Sequence, residues 1–140
     1  MPTRMAKAAW KDTVSKGRGA VELESGAFKG AYSYGSRFKD EKGTNPEELI
    51  GAAHAGCFSM ALSLELENAG YPSTSIATQA KVHLNADELT ITRIDLVSEA
   101  EVEGIDEETF QKVADGAKEG CPVSKALAGV EITLEARLQQ

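Results

Sequence analysis

One stretch decides the fold class, because it combines a marked helix start, a long uncharged run and a clear helix end. Residues 43–70 read GTNPEELIGAAHAGCFSMALSLELENAG. Thr44 and Asn45 are each followed three residues later by a glutamate, which is capping-box spacing, and Pro46 suits the first helical position. Gly70 is the residue type that ends helices. The stretch therefore predicts one long helix that begins near Pro46.

Apolar side chains recur along this predicted helix at helical spacing. One face is expected to consist of Leu49, Ala53, Cys57, Met60, Ala61 and Leu64. Ile50, Phe58 and Leu62 make the other faces apolar too, so we expect the helix to be buried on most sides. The uncharged run is shorter than the roughly 20 apolar residues of a membrane span. It predicts a core helix and no contact with a membrane.

Strict alternation of apolar and polar residues predicts strands on both sides of the helix. They are expected at about 7–11, 20–24, 76–84, 89–102 and 130–138. A slip in the alternation indicates a bulge near Thr92 and Arg93. Residues 26–43 are rich in glycine and aromatics and predict short extended pieces with a surface loop. The mixture indicates an α+β fold.

Two shorter helices are predicted between the last two strands. An amphipathic helix is expected from about Glu107 to Glu119, with Asp106 as its N-cap. Pro122 then opens a short helix. With 140 residues, the whole chain, 1–140, is expected to form a single domain.

Composition narrows the classes of partner. The net charge is −7 and the pI about 4.9, whereas nucleic acid and anionic membranes both call for a concentrated basic surface. We therefore expect neither as a partner. The N-terminus lacks the apolar core of a signal peptide, so we expect a cytoplasmic protein. In that reducing compartment any disulfide would be transient.

The only two cysteines are the strongest candidates for chemistry. Cys57 lies in mid-helix, where a reactive thiolate would need a nearby cation. Arg37 is the nearest arginine, and Glu47 could hold it. On residue types alone, a buried and inert Cys57 is favoured. Cys121 precedes Pro122 near the start of a helix, where free amides favour a thiolate.

His54 leaves further alternatives open. It lies three residues before Cys57 and could act as its general base. A zinc site formed by Cys57, Cys121, His54 and His83 is another alternative, although no pair of ligands has characteristic zinc spacing. A histidine that only packs and forms a hydrogen bond is favoured over both.

The chain resembles the OsmC branch of the OsmC/Ohr family, the osmotically inducible and organic-hydroperoxide-resistance proteins. The resemblance rests on residues 43–49 running into 52–62, and on Gly-Cys-Pro-Val-Ser at 120–124. Ala9-Trp10, Ser36-Arg37-Phe38 and Gly104-Ile105-Asp106 agree as well. The similarity covers nearly the whole chain and reverses the inert interpretation of Cys57.

The resemblance implies a thiol-dependent peroxidase that reduces organic hydroperoxides in defence against oxidative and osmotic stress. By analogy, Cys57 is the peroxidatic cysteine and Cys121 the resolving cysteine. Arg37 is the cation near the Cys57 sulfur, and Glu47, with Glu48 as its rival, orients that arginine. A dithiol, lipoyl-type in part of the family, reduces the resulting disulfide. No metal, flavin or haem is expected.

The resemblance also implies an OsmC-like fold. In it, antiparallel sheets wrap around a long central helix in an intertwined homodimer, with active sites at the interface. A non-catalytic protein that binds a lipid or a stress metabolite in the apolar dimer pocket remains the alternative.

Overall fold

The computed structural model describes residues 1–139, which form six strands and four helices. In chain order these are β1 (Ala6–Lys11), β2 (Arg18–Leu23), β3 (Lys29–Tyr32), α1 (Tyr34–Phe38), α2 (Pro46–Asn68), β4 (Ser73–Asn85), β5 (Thr90–Val102), α3 (Glu107–Gly120), α4 (Pro122–Ala126) and β6 (Glu131–Gln139). The chain divides into two compact units, Met1–Leu49 and Ile50–Gln140.

The first unit is built on an antiparallel sheet in the order β1-β2-β3. The helix α1 follows β3 directly and was not predicted, since residues 26–43 were expected to be extended and looped. Its start is fixed by a capping box: the Ser33 hydroxyl accepts from the Ser36 amide, and the Ser36 hydroxyl accepts from the Ser33 amide. Such a box satisfies two otherwise unpaired donors, which is enough to begin a short helix.

The second unit contains a sheet in the order β4-β5-β6. Its β4 and β5 pair antiparallel, with a register shift where Leu84 faces Ile91, at the predicted bulge. In contrast, β6 runs parallel to β5, so the expectation of purely antiparallel sheets is wrong for this pair. A parallel neighbour requires a crossover connection, and α3 and α4 supply it.

The long helix α2 begins and ends where its sequence predicts. The Asn45 side chain caps it by accepting from the Glu48 amide at 2.7 Å. At the other end Gly70 adopts a φ of 90°, in the left-handed region that favours glycine. The Tyr71 amide then bonds back to the Leu66 carbonyl at 2.8 Å and closes the last turn.

The buried face of α2 differs from the predicted one. Phe58, Leu62 and Leu66 are fully buried, in one cluster with residues of β5 and α3. Met60 and Leu64, which were assigned to the core, are 77% and 54% exposed. By length and composition the 23-residue helix could also cross a membrane. In the single chain described, one face of α2 is packed and an apolar face is exposed, so burial on most sides stays a prediction.

Candidate functional site

The two cysteines meet in the second unit. The Cys121 Sγ lies 2.8 Å from the Cys57 Sγ, and both are free thiols. Cys57 is carried by the middle of α2, and Cys121 stands at the junction of α3 and α4. A disulfide has a sulfur–sulfur distance of about 2.05 Å. The pair can therefore be oxidised with a small movement of the sulfurs.

The two sulfurs differ in their access to solvent. Cys121 has no exposed surface, whereas Cys57 is only partly buried. A molecule that arrives from solvent therefore reaches Cys57 first, and Cys121 lies behind it. The two thiols are therefore not equivalent in a reaction with an external oxidant, because Cys57 is the one that the oxidant can reach.

Their proton affinities differ as well. Burial raises the pKa of Cys57, and its hydrogen bond with Cys121 adds to the rise, while the Val123 amide opposes it. Burial alone would raise the pKa of Cys121 too. The contact with Cys57, the Ser124 amide and hydroxyl, and the Val123 amide together outweigh that effect and lower the pKa of Cys121. Cys121 is the N-cap residue of α4, as predicted, so these amides belong to the first turn of that helix, although the Cys121 side chain forms no capping hydrogen bond with them.

His54 contacts Ser124, a residue of α4 close to Cys121 in the sequence. Its Nε2 lies 2.8 Å from the Ser124 Oγ, and the imidazole is fully buried. Burial lowers the pKa of His54. The imidazole therefore forms a hydrogen bond with Ser124, whereas its spacing from Cys57 in the sequence had suggested a general base that acts on Cys57 directly. Sequence reasoning missed Ser124, although its position three residues after an N-cap residue is typical of a capping motif.

The four residues of the zinc alternative do not come together. His83 bonds to the Asp95 carboxylate at 2.7 Å. Within residues 1–139, no group of three or more His, Cys, Asp or Glu side chains is arranged to hold a metal ion. The zinc interpretation is therefore wrong for this arrangement of the chain.

Arg37 and Glu47 form a two-pronged ion pair in the first unit. The Arg37 Nε donates to Glu47 Oε1 at 3.0 Å and Nη2 donates to Oε2 at 2.8 Å. Glu47 is buried and Arg37 keeps more than a third of its side chain exposed. The hydrogen bond to Glu47 raises the pKa of Arg37. The rival Glu48 instead accepts from the Thr44 hydroxyl at 2.8 Å, so Glu47 is the carboxylate that holds the arginine.

Ser36 explains why Arg37 is placed on Glu47. Its hydroxyl donates to the Thr44 carbonyl at 2.7 Å, and its carbonyl accepts from the Asn45 side chain at 3.0 Å. These bonds tie α1 to the start of α2, one residue from Arg37. The Ser33–Ser36 spacing was the sequence signal for this support.

Comparison with known proteins agrees with the motifs around the two cysteines. A family model described as OsmC-like protein matches residues 39–135. The chain belongs to the OsmC family. Peroxiredoxin OsmC of Escherichia coli is 50% identical over 139 residues, which cover 97% of this chain and 96% of that protein. Organic hydroperoxide resistance protein OhrA of Bacillus subtilis is 33% identical over 99 residues, 69% and 70% of the two chains.

Solved structures of OsmC relatives share the fold. An organic hydroperoxide resistance protein OsmC from Legionella pneumophila superposes with a TM-score of 0.74 at 24% identity, over 98% of both chains. An OsmC-like protein from Mycoplasma pneumoniae gives a TM-score of 0.78 at 14% identity, over 99% of both. The OsmC-like α+β fold predicted from the sequence is confirmed.

Proposed function

We propose that this OsmC protein is a cysteine-based peroxidase that reduces organic hydroperoxides to alcohols in defence against oxidative and osmotic stress. The observation that carries the proposal is the 2.8 Å contact between a partly accessible Cys57 and a fully buried Cys121. The names of the relatives, peroxiredoxin and organic hydroperoxide resistance protein, point to the same chemistry.

The first step is attack of the Cys57 thiolate on one peroxide oxygen. The oxygen–oxygen bond breaks, Cys57 becomes a sulfenic acid, and the alkoxide leaves. The alkoxide takes a proton and becomes the alcohol. The proton shared by the two sulfurs is the nearest one available, and its loss leaves Cys121 as a thiolate.

The second step joins the two cysteines. The Cys121 thiolate attacks the Cys57 sulfenic sulfur, a disulfide forms, and hydroxide leaves. The Val123 and Ser124 groups that lower the pKa of Cys121 favour its thiolate at this stage. An external dithiol, lipoyl-type in our proposal, then restores both thiols by exchange. We place this cycle in the cytoplasm, where such dithiols are kept reduced.

Arg37 is proposed to make Cys57 reactive. Burial works against a Cys57 thiolate, so a cation is needed to favour it. Glu47 lies ten residues before Cys57 on α2, about 15 Å along the helix axis. The groups that shift the pKa of Cys57 in the described chain are Cys121 and Val123, besides burial, and Arg37 is not among them. We propose that it acts across a dimer interface, on the Cys57 of a partner chain.

A homodimer also accounts for the uncovered face of α2. Met60 and Leu64 are exposed apolar side chains on a helix with few charges. Large exposed apolar patches mark interaction surfaces. In the proposed dimer a second α2 covers this face.

The preference for organic peroxides has a structural candidate beside Arg37. A cleft of about 230 Å³ is lined by Trp10, Val14, Tyr32, Ser33, Tyr34, Arg37 and Phe38. Its aromatic walls suit an alkyl or aryl group, and the guanidinium can bond to the peroxide oxygens. Phe58 is fully buried and does not line this cleft.

Titration of free thiols tests the proposal. One equivalent of cumene hydroperoxide should consume both thiols of each chain, and a dithiol should restore them. Unchanged thiols together with a co-purifying apolar ligand would instead support a binding protein.

The interchain role of Arg37 is tested with mixed dimers. Arg37→Ala and Cys57→Ser chains are each expected to be weakly active or inactive alone. Mixed dimers regain one complete site only if the arginine acts on the partner chain.

A further inference from the structure

Two side-chain contacts join α2 to the start of α4. The first is the contact between Cys57 and Cys121, with 2.8 Å between the sulfurs. The second joins His54 Nε2 to Ser124 Oγ, also at 2.8 Å. On each side the two residues are three positions apart in the sequence, so they lie one helical turn from each other. One contact alone would leave α4 free to turn about it, whereas two contacts fix its position along α2.

The helix α4 depends on contacts of this kind. It has five residues, Pro122–Ala126, far fewer than a helix needs to be stable without tertiary packing. In the described part of the chain no side-chain hydrogen bond caps its start, and Ser124 is the buried residue among its five. Leu127, just beyond the helix, is partly buried against the core. Ser124 is therefore the side chain of α4 itself that anchors the helix.

The contact with Ser124 is costly to break because of the state of His54. The imidazole is fully buried, and its Nδ1 has no partner within residues 1–139. In that part of the chain Ser124 is therefore the hydrogen-bond partner of the ring. Moving α4 away from α2 would leave a buried imidazole without any partner, which costs more than the loss of a hydrogen bond in water.

Disulfide formation does not require α4 to move far. The sulfurs must approach from 2.8 Å to about 2.05 Å, a displacement of less than about 1 Å. Small rotations of the two cysteine side chains supply such a displacement. The hydrogen bond between His54 and Ser124 can therefore persist while the two sulfurs join.

We propose that the hydrogen bond between His54 and Ser124 is a clamp that holds α4 against α2, so that Cys121 resolves the Cys57 sulfenic acid in place. His54 and Ser124 are then positioning residues, which act through Cys121. The proposal rests on the peroxidase function for the sulfenic acid, whereas the clamp itself can be measured without peroxide.

The clamp decides between two reactions of the sulfenic acid. Attack by the Cys121 thiolate forms the sulfur–sulfur bond, and the sulfenic oxygen leaves as hydroxide, which takes a proton to become water. Attack of the Cys57 sulfenate on a second hydroperoxide breaks the oxygen–oxygen bond and gives sulfinic acid and an alcohol. A thiol that is kept at contact distance favours the first reaction, because its effective concentration is high. The clamp thus protects Cys57 from overoxidation.

The effective concentration of Cys121 at Cys57 tests the clamp without peroxide. It follows from the equilibrium between the two thiols, their disulfide and a glutathione redox buffer. Ser124→Ala and His54→Leu should each lower it about three- to tenfold, the effect of one hydrogen bond. The double variant should add little, because both residues serve the same contact. An unchanged value in folded Ser124→Ala would overturn the proposal and leave the peroxidase function intact.

Conservative variants separate the clamp from packing. Ser124→Thr keeps the hydroxyl and His54→Gln keeps an N–H donor, so both should restore most of the effective concentration. Ser59→Ala is the matched control, since it removes a 2.7 Å hydrogen bond between α2 and Thr78 of β4. It should leave the effective concentration unchanged. A decrease equal to that of Ser124→Ala would show that any loosening of α2 has this effect, which contradicts a specific clamp.

Overoxidation tests the role of the clamp in the reaction. After an excess of cumene hydroperoxide, mass spectrometry should find about three- to tenfold more Cys57 sulfinic acid in Ser124→Ala than in the wild type, in proportion to the lost effective concentration. An unchanged sulfinic fraction would overturn the protective role. If the wild type reduced no peroxide, the peroxidase function would be wrong, and the glutathione equilibrium would still decide on the clamp.

Amide hydrogen exchange examines the clamp in the wild type, which covers the case in which the variants do not fold. The Lys125 amide bonds to the Cys121 carbonyl and the Leu127 amide to the Val123 carbonyl, both at 3.0 Å. If α4 is held in place before oxidation, both amides should be about as protected in the reduced protein as in the disulfide form. Exchange more than about tenfold faster in the reduced protein would show that α4 opens freely, and would overturn the proposal.

Discussion

The Arg37 guanidinium holds the Glu47 carboxylate with two parallel hydrogen bonds of 3.0 and 2.8 Å. This geometry matches the planar fork of arginine, and lysine cannot reproduce it. Since Glu47 is only 8% exposed, the guanidinium is held in one orientation by a carboxylate that is itself fixed. The ion pair therefore fixes both the position and the orientation of the guanidinium.

Arg37→Ala should slow the reaction with cumene hydroperoxide about ten- to a hundredfold, the effect of losing one charge-assisted hydrogen bond. The same change should raise the pKa of Cys57, measured as the pH dependence of alkylation in a Cys121→Ser background. Arg37→Lys should recover only part of the rate.

Lys39→Ala is the matched control for that experiment, because it removes an exposed positive charge just after α1. It should change neither the rate nor the thiol pKa. Equal losses in the two alanine variants would show that Arg37 contributes only general positive charge.

The uncovered face of α2 predicts that Leu64→Lys weakens the dimer by placing a charge on an apolar interface. Sedimentation velocity over a range of concentrations should show a wild-type dimer and a concentration-dependent monomer in the variant. Leu89→Lys is the control, since Leu89 is also exposed but lies on the turn between β4 and β5. A wild-type monomer at all concentrations would contradict the dimer.

Phe58 is predicted to be the largest single contributor to the core of the second unit. It is fully buried among Leu62, Leu96 and their neighbours, so Phe58→Ala should lower the free energy of unfolding by about 3–5 kcal/mol. Denaturation by guanidinium measures this. Phe28→Ala, at a surface position, should cost about 1 kcal/mol or less.

His54 predicts a dependence of stability on pH. Burial lowers its folded pKa below the value of about 6.5 in an unfolded chain. Between the folded pKa and about 6.5 the unfolded state binds more protons, so the free energy of unfolding falls as pH falls from about 6.5. In chemical denaturation, His54→Gln should remove this slope and His83→Gln should keep it.

Asp95 affects the free energy of unfolding in a separate, more acidic pH range. Hydrogen bonds from Thr133 and His83 lower the pKa of Asp95 to about 2, below its usual value near 3.9. Its stabilisation is complete above the unfolded value and is lost as pH falls toward 2. A His54 slope that appears only below about pH 4 would therefore contradict the assignment to His54 and point to Asp95.

Much of the fold could be predicted from local signals. Asn45, Pro46 and Gly70 marked the ends of α2, and alternation marked the strands. The core face of α2 could not be predicted because apolar residues surround the helix. Helical spacing places Met60 and Leu64 on one apolar face, whereas Phe58 and Leu62 are the residues that the fold buries. Alternation is also blind to strand direction, which hid the parallel pairing of β6.

The site could be predicted only in part. Helix geometry suggested that Glu47 holds an arginine, and the structure shows that it holds Arg37. No spacing rule could bring Cys57 to Cys121, since the intervening strands and helices decide that contact. The resemblance of the two cysteine motifs to the family supplied it. Ser124 could not be predicted as part of the site, because a serine in a short helix can have many structural roles.

The central claim is that Cys57 attacks and Cys121 resolves. Mass spectrometry of two variants after one equivalent of cumene hydroperoxide tests it most directly. Cys121→Ser should carry added oxygen on Cys57, and Cys57→Ser should leave the buried Cys121 unmodified and reduce no peroxide. Oxidised Cys121 with continued turnover in Cys57→Ser would contradict the account.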